Sequence, residues 1–218
     1  MDNAYNVGLI RVVTIKEPEI LNLHGTIIEK KFPQLNVVSK CIQDQDKGIH
    51  DQRTEDIAVP KIIELAKEWK DIDALIISCA GDPAVKELRE QLAIPIVGAG
   101  ESTALLSLRY GTKFGVLGIT DEVPEAYNRI LGDNIVGTCN VDGVTSTLDL
   151  QNELGRKKVI EKAMTLKDQG AQVISLACTG MSTIGIAKEL EQICQIPVID
   201  PVIAEGLIAY YECINGVK

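Results

Sequence analysis

The stretch Asp73-Ala-Leu-Ile-Ile-Ser-Cys79-Ala-Gly-Asp-Pro83 has a counterpart in the second half of the chain, Ala171-Gln-Val-Ile-Ser-Leu-Ala-Cys178-Thr-Gly-Met181. Each is a run of apolar and β-branched residues that ends at a cysteine and continues into small or turn-forming residues. Such runs are typical of buried strands in parallel sheets. The recurrence predicts that the chain consists of two similar halves.

Further segments recur in the same order in both halves. The paired segments are Val7–Thr14 with Phe114–Ile119, Leu35–Val38 with Ile135–Thr138, and Ile94–Val97 with Ile196–Ile199. Helix-like patterns separate them, and this alternation indicates parallel sheets with helices on both faces. We therefore predict an α/β fold of two pseudo-symmetric flavodoxin- or Rossmann-like lobes. Each lobe would hold a parallel four-stranded sheet, with the active site between the lobes.

Two helix starts are also predicted from local signals. The apolar spacing after Pro60 predicts a helix from Pro60 to Trp69, preceded by a polar loop over residues 43–54. Asp82 and Pro83 are typical of an N-cap followed by a proline at the first helical position. Cys79 and Cys178 would then lie between a strand end and a helix start.

Composition excludes several classes of partner. The chain has 218 residues, a net charge of −9 and a pI near 4.8, which disfavours binding to nucleic acid. It contains no apolar run of about 18 residues and no leader-like hydrophobic segment at its start, so we expect a cytoplasmic protein with no membrane partner. Whether it forms a homo-oligomer is left open.

The residue types also argue against a bound metal or organic cofactor. There are six cysteines and two histidines, with no Cys-x-x-Cys pair and no ligand-like spacing. No glycine-rich nucleotide-binding motif is present, so we predict no cofactor. The cysteines predicted to be reduced, buried and structural are Cys41, Cys139, Cys194 and Cys213.

Cys79 and Cys178 both follow predicted strands, at the sheet edge where parallel α/β proteins bind ligands. A thiolate and a thiol there could remove the hydrogen from a carbon next to a carbonyl and return a proton to the opposite face. The amides that follow each cysteine could hold a carboxylate or a developing oxyanion. These amides belong to Ala80, Gly81, Thr179 and Gly180. The predicted partner is therefore a small-molecule substrate.

These residues resemble the aspartate/glutamate racemase superfamily and, more closely, its hydantoin racemase branch. The matching stretches are Ile77–Pro83, Pro95–Ser102, Ala177–Met181 and Ile196–Pro201. The Cys-x-x-Asp-Pro form at Cys79 is characteristic of the hydantoin branch, whereas Cys-Thr with a following small residue is shared more widely.

The resemblance implies an isomerase, a two-base racemase that uses neither pyridoxal phosphate nor another cofactor. It implies that Cys79 and Cys178 are the acid/base pair, and that Thr179 and the neighbouring amides bind substrate. The ends of the first strands, near Thr14 and Thr120, would also face the cleft. The last helix would return to the first lobe, so that the lobes comprise residues 1–98 with 206–218, and residues 99–205.

The chain departs from these relatives after its first strand. Arg11-Val-Val-Thr-Ile-Lys-Glu-Pro18 stands where hydantoin racemases have an Asn-Pro-Asn-Thr-like turn and glutamate racemases an Asp-Ser-Gly-like turn. That loop grips the polar end of the substrate, so a 5-substituted hydantoin and an acidic amino acid such as aspartate or glutamate both stay open.

Four further residues have two interpretations each. Arg11 could bind a substrate carboxylate or a structural acid. Glu101 and Glu205 could line the cleft or interact with a helix dipole. His24 could assist proton transfer or be structural.

Two alternative functions stay open as well. One is a decarboxylase or cis–trans isomerase of the same superfamily, and the other is a non-catalytic small-molecule binding protein.

Overall fold

A computed structural model describes residues 4–137, 139–144 and 149–216. The chain divides into two compact units, a first unit of Met1–Ala99 with Val202–Lys218 and a second unit of Gly100–Pro201. No helix within the described ranges is long and apolar enough to cross a membrane. In chain order, the main elements are β1 (Tyr5–Arg11), α1 (Pro18–Lys31), β2 (Leu35–Cys41), α2 (Gln52–Lys67), β3 (Ala74–Ser78), α3 (Val85–Gln91), β4 (Ile96–Gly98), α4 (Ala99–Ser107), β5 (Phe114–Leu117), α5 (Glu125–Leu131), α6 (Glu153–Asp168), β6 (Val173–Leu176), α7 (Thr179–Thr183), α8 (Ala187–Cys194), β7 (Val198–Ile199) and α9 (Pro201–Asn215).

The first unit contains a four-stranded parallel sheet with the strand order β2-β1-β3-β4. Arg11 at the end of β1 is level with Cys41 at the end of β2 and with Ser78 at the end of β3. The carboxyl ends of these three strands therefore share one edge of the sheet. Parallel α/β sheets bind ligands at this edge, and Cys79 is the residue that follows β3.

Apolar clusters cover both faces of this sheet, because successive side chains of a strand point to opposite faces. The α2/α3 face includes Ile10, Ile62, Ile77 and Leu88. The α1/α9 face includes Leu9, Ile28, Ile76, Val202 and Ala209. Helix α9 thus completes the core of a sheet whose strands all lie within the first hundred residues.

The second unit contains a parallel sheet with the strand order β5-β6-β7. The prediction of four strands is wrong for the described residues, because Ile135 makes only an isolated bridge to Phe114. Gly137 has a φ of +74°, which lies outside the extended conformation that a strand requires. Thr138, the end of the predicted strand, lies outside the described residues. The predicted α/β fold with parallel sheets is otherwise confirmed.

Helix α2 begins at Gln52, so the predicted start at Pro60 is wrong. The Asp51 carboxylate accepts a hydrogen bond from the Thr54 amide at 2.7 Å, and the Asp51 amide donates to the Thr54 hydroxyl at 3.1 Å. This reciprocal cap starts the helix inside the segment predicted to be a polar loop. Pro60 therefore lies within the helix, where its ring removes one backbone hydrogen bond on an exposed side.

Candidate active site

Cys79 lies half-buried at the carboxyl end of β3, in the first residues of a tight turn. Its carbonyl accepts a hydrogen bond from the Asp82 amide at 3.0 Å, which closes the turn. Ala80 is buried, whereas Gly81 is exposed. A Cβ atom at Gly81 would lie 3.8 Å from the Cys79 sulfur. The exposed backbone of Gly81 therefore borders the thiol without covering it.

The turn after Cys79 is not the predicted helix start. Asp82 and Ala84 both adopt the left-handed conformation, with φ values of 54° and 62°, and α3 begins only at Val85. The Asp82 carboxylate is directed at Gly98, where it occupies the space that a side chain would need. Asp82 therefore shapes the turn through this contact and does not cap α3.

Cys178 follows β6 after a single residue and is the N-cap of α7. Its thiol is buried among apolar residues of the second unit, and its carbonyl accepts from the Met181 amide at 3.0 Å. Thr179 and Gly180 are the first two residues of α7, so their amides lie in its first turn. The Ser182 hydroxyl donates to the Asp200 carboxylate at 2.8 Å, and this bond anchors α7.

Cys139 is a second thiol close to Cys178. It is buried, as predicted, and its sulfur lies beside Gly118 at the end of β5. Burial, and to a lesser extent the neighbouring Cys178, raises the pKa of the Cys139 thiol to about 12. Cys139 is therefore an unreactive thiol next to the candidate catalytic one.

Both predicted threonines bind neighbouring backbone. The Thr14 hydroxyl donates to the Ile42 carbonyl at 3.0 Å and accepts from the Gln45 amide at 2.8 Å. The Thr120 hydroxyl donates to the Glu122 carbonyl at 2.8 Å. Each stabilises the loop in which it lies, and a role of either hydroxyl in binding substrate stays a prediction.

Arg11 and His24 are buried in the first unit. Arg11 donates from Nη1 to the Ile20 carbonyl of α1 at 3.1 Å. The His24 Nδ1 atom lies 2.8 Å from the Ser78 hydroxyl. Burial, followed by the charge of Arg11, holds the pKa of His24 well below its ordinary value of 6.5. A histidine in this state is neutral at physiological pH.

The two predicted glutamates differ in their surroundings. Glu205 on α9 is completely buried, and its Oε1 atom accepts from the Ser78 hydroxyl at 2.7 Å. Glu101 on α4 lies 3.9 Å from Arg129, a half-exposed side chain. Ser78 is not among the site residues that the sequence predicts, although a polar residue at the end of an apolar strand is a visible signal. Among the described residues there is no cluster of histidine, cysteine or acidic side chains that could hold a metal ion.

The family model described as Asp/Glu/Hydantoin racemase matches residues 28–205. The hydantoin racemase of Paenarthrobacter aurescens is 25% identical over 174 residues, which cover 75% of this chain and 73% of that protein. The hydantoin racemase of Pseudomonas sp. strain NS671 is 28% identical over 159 residues, which cover 69% of this chain but only 63% of that protein.

The fold is similar to that of solved racemases. The crystal structure of allantoin racemase from Pseudomonas fluorescens superposes with a TM-score of 0.84 and 19% identity, covering 98% of this chain and 92% of the other. The predicted resemblance and the predicted enzyme class, an isomerase, are confirmed. The chain belongs to the Asp/Glu/hydantoin racemase family.

Proposed function

We propose that this protein is a cofactor-independent racemase that uses Cys79 and Cys178 as its two bases on a 5-substituted hydantoin. The observation that carries the proposal is the matching place of the two thiols. Each follows an inner strand of its parallel sheet, β3 in the first unit and β6 in the second. We further propose that the two units are pseudo-symmetric repeats of one another.

In the proposed reaction, one cysteine begins as thiolate and takes the C5 hydrogen of the hydantoin as a proton. The electron pair left on carbon moves into the adjacent carbonyl and forms an enolate. The other cysteine, a thiol, donates its proton to the opposite face of the same carbon. The product is the other enantiomer, and the two cysteines have exchanged protonation states.

The enolate oxygen needs donors that are already in place. We assign this role to the amides that follow the cysteines, at Ala80, Gly81, Thr179 and Gly180. These amides follow the two cysteines directly along the chain, in the turn after Cys79 and at the start of α7, and this supports the assignment. The Thr179 side chain is half-buried and would add a hydroxyl donor.

The surroundings of Arg11 lead us to propose a neutral hydantoin ring rather than an acidic amino acid as the substrate. Arg11, the cation at the end of β1, is buried and directs a donor at the Ile20 carbonyl of α1. An acidic substrate would require this guanidinium to turn toward a carboxylate instead. Two curated relatives are named hydantoin racemases, which supports the same choice.

The test is α-hydrogen exchange in heavy water, followed by proton NMR together with optical rotation. Both enantiomers of benzyl-, isopropyl- and methyl-hydantoin, allantoin, aspartate and glutamate would be offered. We expect exchange with inversion on a hydantoin. Cys79→Ala and Cys178→Ala should each lose inversion and retain exchange only on the one enantiomer whose α-hydrogen faces the remaining cysteine. Cys213→Ala in the first unit and Cys194→Ala in the second are matched controls that should retain activity.

Full racemisation by either Cys79→Ala or Cys178→Ala would disprove the two-base mechanism. Exchange on aspartate or glutamate alone would leave the chemistry standing and replace the substrate class. Decarboxylation, or binding without exchange, would overturn the racemase proposal altogether.

A further inference from the structure

A cluster of buried polar side chains lies near Cys79 in the first unit, on the opposite face of the sheet. His24 of α1, Ser78 of β3 and Glu205 of α9 are at most 2% exposed. Their side chains meet on the α1/α9 face of the sheet, beside an apolar cluster that includes Leu9, Ile28 and Ile76. We call them the β3-end cluster. Burying polar groups is costly unless they are well hydrogen-bonded, so such a cluster requires a physical reason.

The hydrogen bonds of the β3-end cluster hold the Ser78 hydroxyl from two sides. Ser78 donates to Glu205 Oε1 at 2.7 Å, so its oxygen is left to accept from His24 Nδ1 at 2.8 Å. This arrangement assigns the proton of neutral His24 to Nδ1. The Ser78 side chain is thus tied both to α1 and to α9.

Ser78 is also the residue at which the chain bends toward Cys79. The Cys79 amide donates to the Ile77 carbonyl at 2.9 Å, which makes Ser78 the central residue of a three-residue turn. Cys79 packs against the α2/α3 face, whereas Ser78 is bound on the opposite face. The cluster therefore fixes the bend from the side of the sheet away from the thiol.

The geometry points to a positioning role for His24, Ser78 and Glu205: they hold the bend from which Cys79 presents its sulfur. This inference rests on the proposed function of Cys79 as a base. A base displaced by a fraction of an ångström loses much of its efficiency, because proton transfer requires close alignment. None of the three residues needs to touch the substrate for this effect.

The decisive variant is Ser78→Ala, which removes both hydrogen bonds at once. Its matched control is Ser39→Ala, because Ser39 is a buried serine of the same sheet whose hydroxyl faces α1 and has no hydrogen-bond partner. Glu205→Gln is a milder second variant that keeps an acceptor oxygen for Ser78. All three would first be checked for wild-type circular dichroism and cooperative thermal unfolding.

The first readout does not depend on activity. The rate of iodoacetamide labelling, resolved for each cysteine by mass spectrometry, measures how accessible the Cys79 thiol is to the reagent. We expect Ser78→Ala to raise the labelling rate of half-buried Cys79 by about threefold or more and to leave Cys178 unchanged, because only the first-unit turn is released. If Ser78→Ala does not fold, Glu205→Gln is judged by the same criterion.

The second readout separates positioning from a loss of folded enzyme. Each enantiomer has its α-hydrogen removed by one cysteine, and Cys178→Ala, which keeps Cys79, identifies the enantiomer that Cys79 serves. With that enantiomer α-deuterated, Ser78→Ala should lower kcat about tenfold, leave KM within about twofold and raise the primary isotope effect. With the other enantiomer deuterated, the isotope effect should not change.

The outcomes distinguish this inference from the function on which it rests. Unchanged Cys79 labelling in Ser78→Ala, or equal changes at Cys79 and Cys178, would overturn the positioning role even if the wild type racemises hydantoins. A wild type without exchange on any compound would overturn the racemase proposal, and the labelling rates would still decide whether the cluster holds Cys79. Equal effects of Ser39→Ala and Ser78→Ala would show that the cluster contributes only ordinary packing and has no specific effect on Cys79.

Discussion

The carboxylate of Asp82 lies against the backbone of Gly98, in the volume that any side chain at position 98 would occupy. Asp82 belongs to the turn after Cys79, and Gly98 ends the neighbouring strand β4. Because Asp82 has a positive φ, which is uncommon for a residue other than glycine, the turn relies on its surroundings to hold this shape. Position 98 must therefore be glycine, because the Asp82 carboxylate leaves no room there for a side chain.

Gly98→Ala should disturb the turn that carries Cys79. The added methyl group would overlap the Asp82 carboxylate, and we expect a loss of about 1–3 kcal/mol in the free energy of unfolding. Racemase activity should fall with it. Urea denaturation and steady-state kinetics measure the two effects. In a double-mutant cycle, Gly98→Ala should cost less when Asp82 is already glycine, and additive costs would contradict the proposed overlap.

Gly81→Ala should act on activity without affecting stability. The new Cβ atom would meet only the Cys79 sulfur, at 3.8 Å, and the site is exposed. The methyl group would narrow the approach to the thiol, so KM for a hydantoin should rise about tenfold. The thermal unfolding midpoint should stay within about one degree of the wild type. An unchanged KM would argue that substrate does not approach Cys79 over Gly81.

Cys139 and Cys213 should resist alkylation in the folded protein. Burial is the main cause that raises the pKa of Cys139 to about 12 and that of Cys213 to about 11. Because the thiolate is the nucleophile, both should stay unmodified by iodoacetamide at pH 8 while Cys79 reacts. Peptide mass spectrometry measures this, with labelling in guanidinium chloride as the control in which all six cysteines react. Rapid labelling of Cys139 would contradict its assignment as a structural thiol.

His24 should make the protein sensitive to acid. The pKa of His24 is held well below 6.5 in the folded state, by burial and then by Arg11, whereas the unfolded chain takes up a proton near 6.5. The unfolded state therefore binds more protons below pH 6.5, and stability is present above that pH and is lost as the pH falls.

Between pH 7.5 and 5.5, the wild type should lose about 1 kcal/mol more unfolding free energy than His24→Gln. Urea denaturation at both pH values measures the difference. Arg11 of β1 and Glu205 of α9, the ionisable groups near His24, are the same in both chains. Parallel losses in the two proteins would show that His24 is not the titrating group.

The order of strands and helices could be predicted because apolar periodicity reports burial directly. The β3 run of Ala74 to Ser78 is buried at every residue, as a strand covered on both faces must be. The turn after Cys79 could not be predicted, because Asp82-Pro83 satisfies the local rules for a helix start. The contact of Asp82 with Gly98, which lies beyond α3 on the neighbouring strand, determines the shape of the turn instead.

The β3-end cluster illustrates the same limit for the candidate site. Each member carries an ordinary local signal, and the sequence supports two interpretations each for His24 and Glu205. Only the return of α9 to the first sheet places Glu205 beside Ser78, 127 residues away along the chain. Local periodicity carries no information about such a pairing.

The discontinuity of the first unit has a consequence for biosynthesis. The second unit is a continuous stretch, Gly100–Pro201, whose contacts can all form once that stretch has left the ribosome. The sheet of the first unit emerges earlier but must wait for α9 before its α1/α9 face is covered. During that interval Leu9, Ile28 and Ile76 lack the part of their apolar cluster that α9 contributes. Nascent chains halted before Val202 should therefore be the forms that chaperones bind most strongly.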